Sequence, residues 1–387
     1  MKFPLFTLLL FSFFGYAQYS TNAIVLDSSD NAPLEFVGIY NSKDHTMTNA
    51  DGRFQFSSSL DSVTIYRPGY ETIKASFSNL KDTILLEKSV LELDEVVVTN
   101  QKSILQEVYE SLNKNYSAEP YKEKFMLRAI NKYNGEMHRI EDITGKLSIK
   151  NMFTDDTIKE SKKDFIVELT NMRKLGLKND AKDIYLIFPS LKSIYNSLTD
   201  IKITESKYDI SENEFNNGEN IKVEFSKLSD STEITGYYIL ETNNLAISEF
   251  KCEILNKLGL FNTNKSALYR TNYTKQHVFF KKDRNKNLYH VNSGSIEFNV
   301  IITDKEKSYQ ANHSLNLVLM TSDNFGDFEV TKNTSATKDL FKLDYPYNPS
   351  YWNEQNQLLL TDEMTAFIEK VQDPQNDFKI SSNLKNK

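Results

Sequence analysis

A run of short strand-like segments between Asn22 and Thr99 most constrains what this chain can fold into. Ala23–Leu26 and Leu34–Tyr40 are apolar runs separated by a polar, turn-forming stretch. Asp51-Gly52 is a turn pair that tolerates positive φ, and an alternating strand follows it directly. About seven such segments in roughly eighty residues predict a small antiparallel β-sandwich.

The segment ahead of this region has the pattern of an export signal. Met1–Ala17 has a positive charge at Lys2, then an apolar run, then small residues at Gly15 and Ala17. The apolar run is shorter than the roughly 20 residues that a membrane-spanning helix needs. We therefore expect an exported protein, in the periplasm or on the periplasmic face of the outer membrane, with no transmembrane segment after signal cleavage.

The motifs of the strand-rich region follow a recognisable order. They are Pro33-Leu34-x-x-Val37, Thr48-x-x-x-Gly52-x-Phe54, Gly69-Tyr70 and Ile84-x-Leu86. This order resembles the carboxypeptidase-regulatory-like domain, a transthyretin-like fold abundant at the N-terminus of exported Bacteroidota envelope proteins. The resemblance covers about a fifth of the chain and assigns residues 18–99 to this module. It implies a folding, spacing or docking role, because the module carries no catalytic residues of its own.

The segment after the sandwich is a candidate partner-binding peptide. It is similar to the peptide that TonB reads by strand addition in TonB-dependent outer-membrane receptors. A last strand or extended linker would have the same β-branched composition, and the remaining residues are far too few for a plug and a 22-strand barrel. We therefore favour the linker. The candidate residues are Asp94, Glu95, Val96, Val97, Val98 and Thr99.

The rest of the chain predicts a second, larger domain. Ser103 precedes a helix within a linker at residues 100–118, and Asn134-Gly135 is a strong two-residue hairpin signal. Alternating polar and apolar residues then recur, so residues 119–387 predict long antiparallel strands with one wet face and one dry face. The strands are expected at Phe125–Tyr133, Glu136–Ile149, Ile221–Phe225, Ile234–Leu240, Leu245–Ile254, His277–Lys281, Leu288–Val291, Ser295–Ile302 and Leu315–Leu319.

Two further amphipathic helices are expected to cover one side of this sheet. Leu191–Leu198 and Met364–Val371 have apolar residues at helical spacing. A strongly curved antiparallel sheet filled by a helix would resemble the half-barrel of periplasmic lipoprotein carriers. The predicted fold class is therefore mainly β: a transthyretin-like sandwich, then a larger curved antiparallel β domain with a few amphipathic helices.

Composition supports the mainly β fold class and excludes some kinds of binding partner. Tyr and Phe number 21 and 25, which favours pleated sheet surfaces. The net charge is −7 and no basic cluster stands out, so nucleic acid is excluded as a partner and anionic membrane surfaces are disfavoured. The lone cysteine, Cys252, lies in an alternating strand and is expected to face the core.

One stretch of the sequence nearly matches a catalytic metal-binding motif. His138-x-x-Glu141 has the spacing of the metallocarboxypeptidase zinc ligands, with His277 a conceivable third ligand. On a strand, however, an offset of three sends the two side chains to opposite faces unless a bulge intervenes. Glu141-Asp142 is expected on a solvated strand, with no acid-base role. We predict no catalytic residue, no metal site and no cofactor.

The densest aromatic cluster is a candidate ligand platform. Its rings could stack on a sugar or a peptide, or could form a plug that seals the end of the sheet, and we favour the plug. It resembles a closing segment of uncharacterised envelope proteins that begin with the same module. The candidate residues are Tyr345, Tyr347, Tyr351 and Trp352.

Taken together, the sequence predicts a non-enzymatic cell-envelope protein that binds or docks a hydrophobic ligand, a glycan or a protein partner. One alternative is a hydrolase whose site is assembled from residues distant in sequence. Another is a TonB-linked accessory protein that acts through Asp94–Thr99. Convergent histidine and carboxylate groups would favour the hydrolase, whereas an apolar cleft would favour a carrier.

Overall fold

The computed structural model describes residues 18–89, 103–153, 164–177, 187–203, 207–215, 218–264, 267–283, 285–306, 309–353, 356–373 and 380–384. The expected signal and the candidate peptide Asp94–Thr99 lie outside these residues, so both stay predictions. Strands dominate, which confirms the predicted fold class. The described residues form two compact units, one from 18–88 and 356–361 and the other from the described parts of 89–353 and 362–384.

The first unit is a two-sheet sandwich around one apolar core. One sheet has the order β4-β1-β7 and the other β3-β2-β5-β6. The β1–β7 pair is parallel, unlike the antiparallel pairing expected, because the chain crosses to the other sheet between these strands. The strands are β1 (Tyr19–Asp27), β2 (Gly38–Tyr40), β3 (His45–Met47), β4 (Arg53–Ser58), β5 (Ser62–Tyr66), β6 (Ile73–Ser76) and β7 (Thr83–Leu86).

A short segment from late in the chain belongs to this first unit. The Asn356 side chain accepts a hydrogen bond from the Ser57 backbone N–H (2.7 Å) and donates one to the Ser57 carbonyl (2.8 Å). Asn49 likewise donates to the Leu360 carbonyl (3.2 Å). These bonds join residues about 300 positions apart, so no local sequence pattern predicts them.

The second unit is built on a 12-stranded antiparallel sheet. Its order is β11-β12-β13-β14-β16-β17-β18-β8-β9-β10-β19, with β15 paired to β16. Most of the predicted strands are found, but Leu288–Val291 and Ser295–Ile302 form one strand, and β10, β11, β15 and β19 are additional. The strands are β8 (Tyr121–Tyr133), β9 (Glu136–Ile149), β10 (Phe165–Leu177), β11 (Asp209–Phe215), β12 (Asn220–Leu228), β13 (Thr232–Glu241), β14 (Ile247–Asn256), β15 (Asn262–Asn264), β16 (Ala267–Lys282), β17 (Tyr289–Asp304), β18 (Gln310–Ser322) and β19 (Ile380–Ser382).

One face of this sheet carries the main core, and we call it the core face. Alternate residues of β8, such as Phe125, Leu127 and Ala129, belong to one apolar cluster with residues of two helices. The Ser103 hydroxyl accepts from the Gln106 N–H at the start of the first of them, as predicted. The helices are α1 (Ile104–Asn115), α2 (Leu191–Thr199), α3 (Pro349–Trp352) and α4 (Asp362–Gln372).

The opposite face is less exposed than the sequence suggests. Strands β8 and β9 are buried on both faces, whereas a single dry face was expected. On the second face α4 contacts β9, and Lys132 pairs with Glu363 at 2.7 Å. The buried apolar residues there include Met126, Ile130, Ile140, Leu175, Val318 and Met320. Cys252 packs against the core on the core face, as predicted.

Close strand contact makes Gly236 on β13 sensitive to substitution. A Cβ there would lie 2.2 Å from the Lys251 carbonyl oxygen and 2.3 Å from Phe225 Cζ. We expect Gly236→Ala to lower the free energy of unfolding by about 2–3 kcal/mol, because the strand and the ring must both move. Urea unfolding followed through Trp352, the single tryptophan, measures this in the second unit.

Gly135→Ala is the matched control. Gly135 has φ +88°, but no atom of the described residues would lie within 4 Å of a Cβ added there, so only the backbone conformation opposes alanine. Its cost is expected to be about 1 kcal/mol. Equal losses for the two variants would contradict the steric argument.

Candidate functional site

Four residues of β9 and β10 form the centre of the candidate site. In the ladder Arg139 lies opposite Gly176, and Glu141 lies opposite Lys174. Their positions alternate with Ile140 and place them on the core face. Charged side chains thus occupy one end of a mainly apolar face.

Glu141 is the most unusual group of this site. Its side chain is buried, at 1% exposed, and neither carboxyl oxygen has a hydrogen-bond partner among the described residues. Burial raises the pKa of Glu141 from 4.5 to about 8, although Lys174 and Arg139 act in the opposite direction. The carboxyl group is therefore protonated at neutral pH and can donate a hydrogen bond.

Arg139 supplies the positive charge. Its guanidinium carbon lies 5.9 Å from the Phe188 ring centre and 5.5 Å from that of Phe341. Its Nε has no hydrogen-bond partner within the described part of the chain. Gly176 leaves room for it, since a Cβ there would lie 2.8 Å from Arg139 Cγ. Asp339 fixes the two rings by accepting the backbone N–H groups of Phe188 (3.2 Å) and Phe341 (3.0 Å).

Arg139, Glu141 and Phe341 line a small, open cleft whose interior volume is about 10 Å³, room for about one water molecule. Lys174 lies at its edge, where its Nζ donates to the Leu343 carbonyl at 2.7 Å. Leu343 is a member of the main core, and Phe341 packs against it. The cleft therefore joins a cationic, hydrogen-bonding wall to the apolar interior.

A β-bulge at His138, the residue before Arg139, interrupts the regular alternation of β9. The register shifts between Asn131 and Lys132, so that Met137 and Arg139 are paired and His138 is the extra residue. The His138 ring lies 5.6 Å from that of Tyr133, which in turn lies 5.2 Å from His313. Burial and the nearby Arg139 lower the pKa of both histidines to about 4, so both are neutral at pH 7.

The bulge is the irregularity on which the metal hypothesis depended. Nevertheless, in the described ranges no group of three or more His, Cys, Asp and Glu side chains is placed to hold a metal ion. His138 Nε2 and Asn131 Nδ2 are buried without a hydrogen-bond partner from the described residues. His277 lies elsewhere, paired through Nε2 with Glu249 at 2.7 Å.

The prediction that Glu141-Asp142 lies on a solvated strand is wrong. Asp142 is also buried, but on the opposite face, where it accepts from Arg128 Nε (2.8 Å) and Nη2 (3.0 Å) and from Arg173. Burial alone would raise the pKa of Asp142, but these two guanidiniums hold it below its usual value. Asp142 is thus a satisfied ionic centre, unlike Glu141.

The predicted aromatic platform lies partly against that ionic centre. Trp352 is buried, and the guanidinium carbon of Arg173 lies 4.8 Å from its ring. Tyr351 meets Trp352 edge to face at 5.2 Å, and Tyr345 packs against the main core. Tyr347 is half-buried. Ligand binding by these four residues stays a prediction.

Sequence reasoning missed Arg139, Lys174 and Asp339 as members of a site. Their signal is weak: Arg139 and Glu141 alternate in step with Ile143, which marks them as facing the core. The residues that these side chains contact come from segments far apart along the chain. They include Phe188 and Phe341.

Comparisons with known proteins give no family. No family model matches the sequence, and no curated protein matches it. Among solved structures, a LolA superfamily protein from Nitrosomonas europaea is similar at 12% identity and TM-score 0.23, covering 63% of this chain and 99% of that one. Lipovitellin is similar at 9% identity and TM-score 0.25, covering 63% of this chain and 29% of that one. Superpositions at these scores do not establish a shared fold.

No helix in the described ranges is long and apolar enough to cross a membrane.

Replacing Glu141 with glutamine should change how stability depends on pH. Between pH 4.5 and about 8 the folded chain keeps a proton that the unfolded chain has lost, so wild-type stability falls as pH rises. The slope from this group is at most about 1.4 kcal/mol per pH unit. We expect Glu141→Gln to be more stable than wild type at pH 9 and to lose that advantage near pH 5.

Urea unfolding at pH 5, 7 and 9 measures the difference, with Glu306→Gln in an exposed turn as the control. The buried histidines titrate in both proteins, so their contribution cancels in the comparison. A pH-independent difference between Glu141→Gln and wild type would show that Glu141 is charged in the folded state.

Proposed function

We propose that this is a non-enzymatic, exported protein of the cell envelope whose second unit binds an amphiphile with an anionic head group. The sandwich unit would serve as a docking or spacing module, as its resemblance to the carboxypeptidase-regulatory-like domain implies. One observation carries the proposal. Arg139 Nε and the Glu141 carboxyl are neighbours on the core face, and neither has a hydrogen-bond partner among the described residues.

The chemistry of the cleft favours an anion. Buried polar groups without hydrogen-bond partners cost free energy, so a ligand that forms hydrogen bonds with them is stabilised in the cleft. Arg139 and the protonated Glu141 can both donate, and Lys174 adds a second positive charge at the edge. A sulfonate, phosphate or carboxylate would accept these hydrogen bonds, and its charge would be paired.

The apolar side of the cleft favours a hydrocarbon tail on the same ligand. Phe188, Phe341 and Leu343 lead from Arg139 into the main core. Beyond them α2 covers the core face through an amphipathic surface, with Leu191, Ile194, Tyr195 and Leu198 buried. A tail would lie against the Phe341 ring at the mouth of the cleft, while the head group stays at Arg139.

Arg139→Met tests this arrangement, because methionine keeps an apolar stem and removes the charge. The probes are decanesulfonate, whose charge is fixed across pH, and decyl maltoside, whose head is neutral. We expect the variant to bind decanesulfonate about tenfold more weakly or worse and decyl maltoside as before. Isothermal titration calorimetry below the micelle concentrations measures both affinities.

Lys305→Met, at an exposed position after β17, is the charge-matched control. Wild-type affinity for decanesulfonate should also fall as pH rises through about 8, because Glu141 then ionises beside the sulfonate. Equal affinity of wild type for the two probes, or no binding of either, would contradict the proposal.

A second candidate function rests on one arrangement on the opposite face. Glu249 accepts from the Tyr237 hydroxyl (2.6 Å) and lies 2.7 Å from His277 Nε2. Ser295 is the direct cross-strand partner of His277. A carboxylate, a histidine and a serine on adjacent strands are the side chains that a serine hydrolase needs.

A fluorophosphonate probe, which reacts with the nucleophilic serine of serine hydrolases, tests this second candidate function. A hydrolase predicts stoichiometric labelling that is lost in Ser295→Ala and kept in Ser293→Ala. Absence of labelling in the folded wild-type protein would remove it, and the amphiphile measurements do not depend on the result.

A further inference from the structure

Four exposed leucines gather at one end of the second unit, and we call them the leucine tip. They are Leu228, Leu255, Leu258 and Leu260, with 74%, 46%, 55% and 72% of their surface exposed. They come from the end of β12, the end of β14 and the loop between β14 and β15. Among the described residues of the second unit six large apolar side chains are exposed, and four of them are these leucines.

The strand ladder brings these segments together. Leu228 pairs with Glu233 on β13, and Glu233 pairs with Leu255 on β14, so the two leucines lie about 10 Å apart in one row. Lys257 joins the loop to the β12–β13 turn, since its N–H donates to the Ser231 carbonyl at 2.9 Å. Its Nζ lies 3.0 Å from Glu233.

Arg270 holds the loop that carries the other two leucines. Its Nη1 donates to the Gly259 carbonyl (3.1 Å), and its guanidinium carbon lies 5.1 Å from the Phe261 ring. Gly259 has φ +62°, and a Cβ there would lie 2.7 Å from Arg270 Nη1. The loop is thus fixed in a conformation with Leu258 and Leu260 on the two sides of Gly259, both exposed.

We propose that the leucine tip inserts into the surface of a lipid bilayer. Leucine is under-represented at the centres of protein–protein interfaces, where tryptophan, tyrosine and arginine dominate. Apolar side chains such as leucine can be buried at the boundary between the head groups and the acyl chains, and the strength of such binding scales with the apolar area buried. Lys257 is already paired with Glu233, and the chain is acidic overall, so insertion depends on apolar area rather than on attraction to anionic lipid.

The position of the tip connects it with the cleft. One continuous row of cross-strand partners runs from Arg139 through Leu315 and Ile254 to Lys227, the neighbour of Leu228. Arg139 and the leucine tip therefore lie at the same ends of the strands. Insertion at the tip does not require that the cleft bind an amphiphile.

Flotation of the mature protein with phosphatidylcholine vesicles tests the insertion. We expect wild type to float and Leu258→Asn/Leu260→Asn to lose vesicle affinity by tenfold or more, because each leucine that leaves the acyl region costs on the order of tenfold. Raising the salt concentration from about 0.05 to about 0.5 M should change binding little, unlike binding to an anionic surface. Both leucines are exposed, and a circular dichroism spectrum checks that the variant is folded.

Leu85→Asn, at an exposed leucine of the first unit, is the matched control and should float as wild type does. Arg139→Met should also float, so failure of amphiphile binding and failure of insertion are distinguishable. Equal flotation of wild type and the double variant would overturn the proposal. So would a concentration-dependent dimer of wild type that dissociates in the double variant and never floats, since a second copy would then cover the tip.

Discussion

The register of the antiparallel ladder is the constraint on which the second unit depends. Side chains alternate along each strand, so a slip by one residue would exchange the core face for the opposite face across the whole sheet. Asn134 and Gly135, both at positive φ, fix the register of β8 and β9. The bulge at His138 then shifts it by one residue, which sets the face of every residue between there and the hairpin.

Neighbouring carboxyl groups show what this register decides. Glu141 and Asp142 are adjacent in sequence, yet they face opposite sides of the sheet. Asp142 is charged and held between two guanidiniums, as expected for a buried ion that contributes to the structure. Glu141 has nearby charges but no hydrogen bonds from the described residues, so burial leaves it protonated. Burial also raises the pKa of a second acid, Glu123, to about 8. Glu123 accepts a hydrogen bond from the Asn324 side chain, a contact of a kind that Glu141 lacks among the described residues.

Much of the architecture could be predicted because its signals are local. The Asn134-Gly135 hairpin, the cap at Ser103 and the apolar spacing of α2 each lie within a few residues, and each element is found. The apolar run Leu34–Tyr40 was expected to be one strand, but only Gly38–Tyr40 is a strand. Phe36 has φ +62°, a conformation that an apolar pattern does not predict.

The sequence by itself determined the two kinds of β architecture and the helices α1, α2 and α4, because strand alternation, turn residues and caps act over short distances. Only the tertiary structure decided the candidate site. Arg139 acquires its role from Gly176 across the ladder and from Phe188 and Phe341 in distant segments. Long-range pairing also set the protonation of Glu141, since a pKa depends on burial and on neighbours that a linear pattern does not contain.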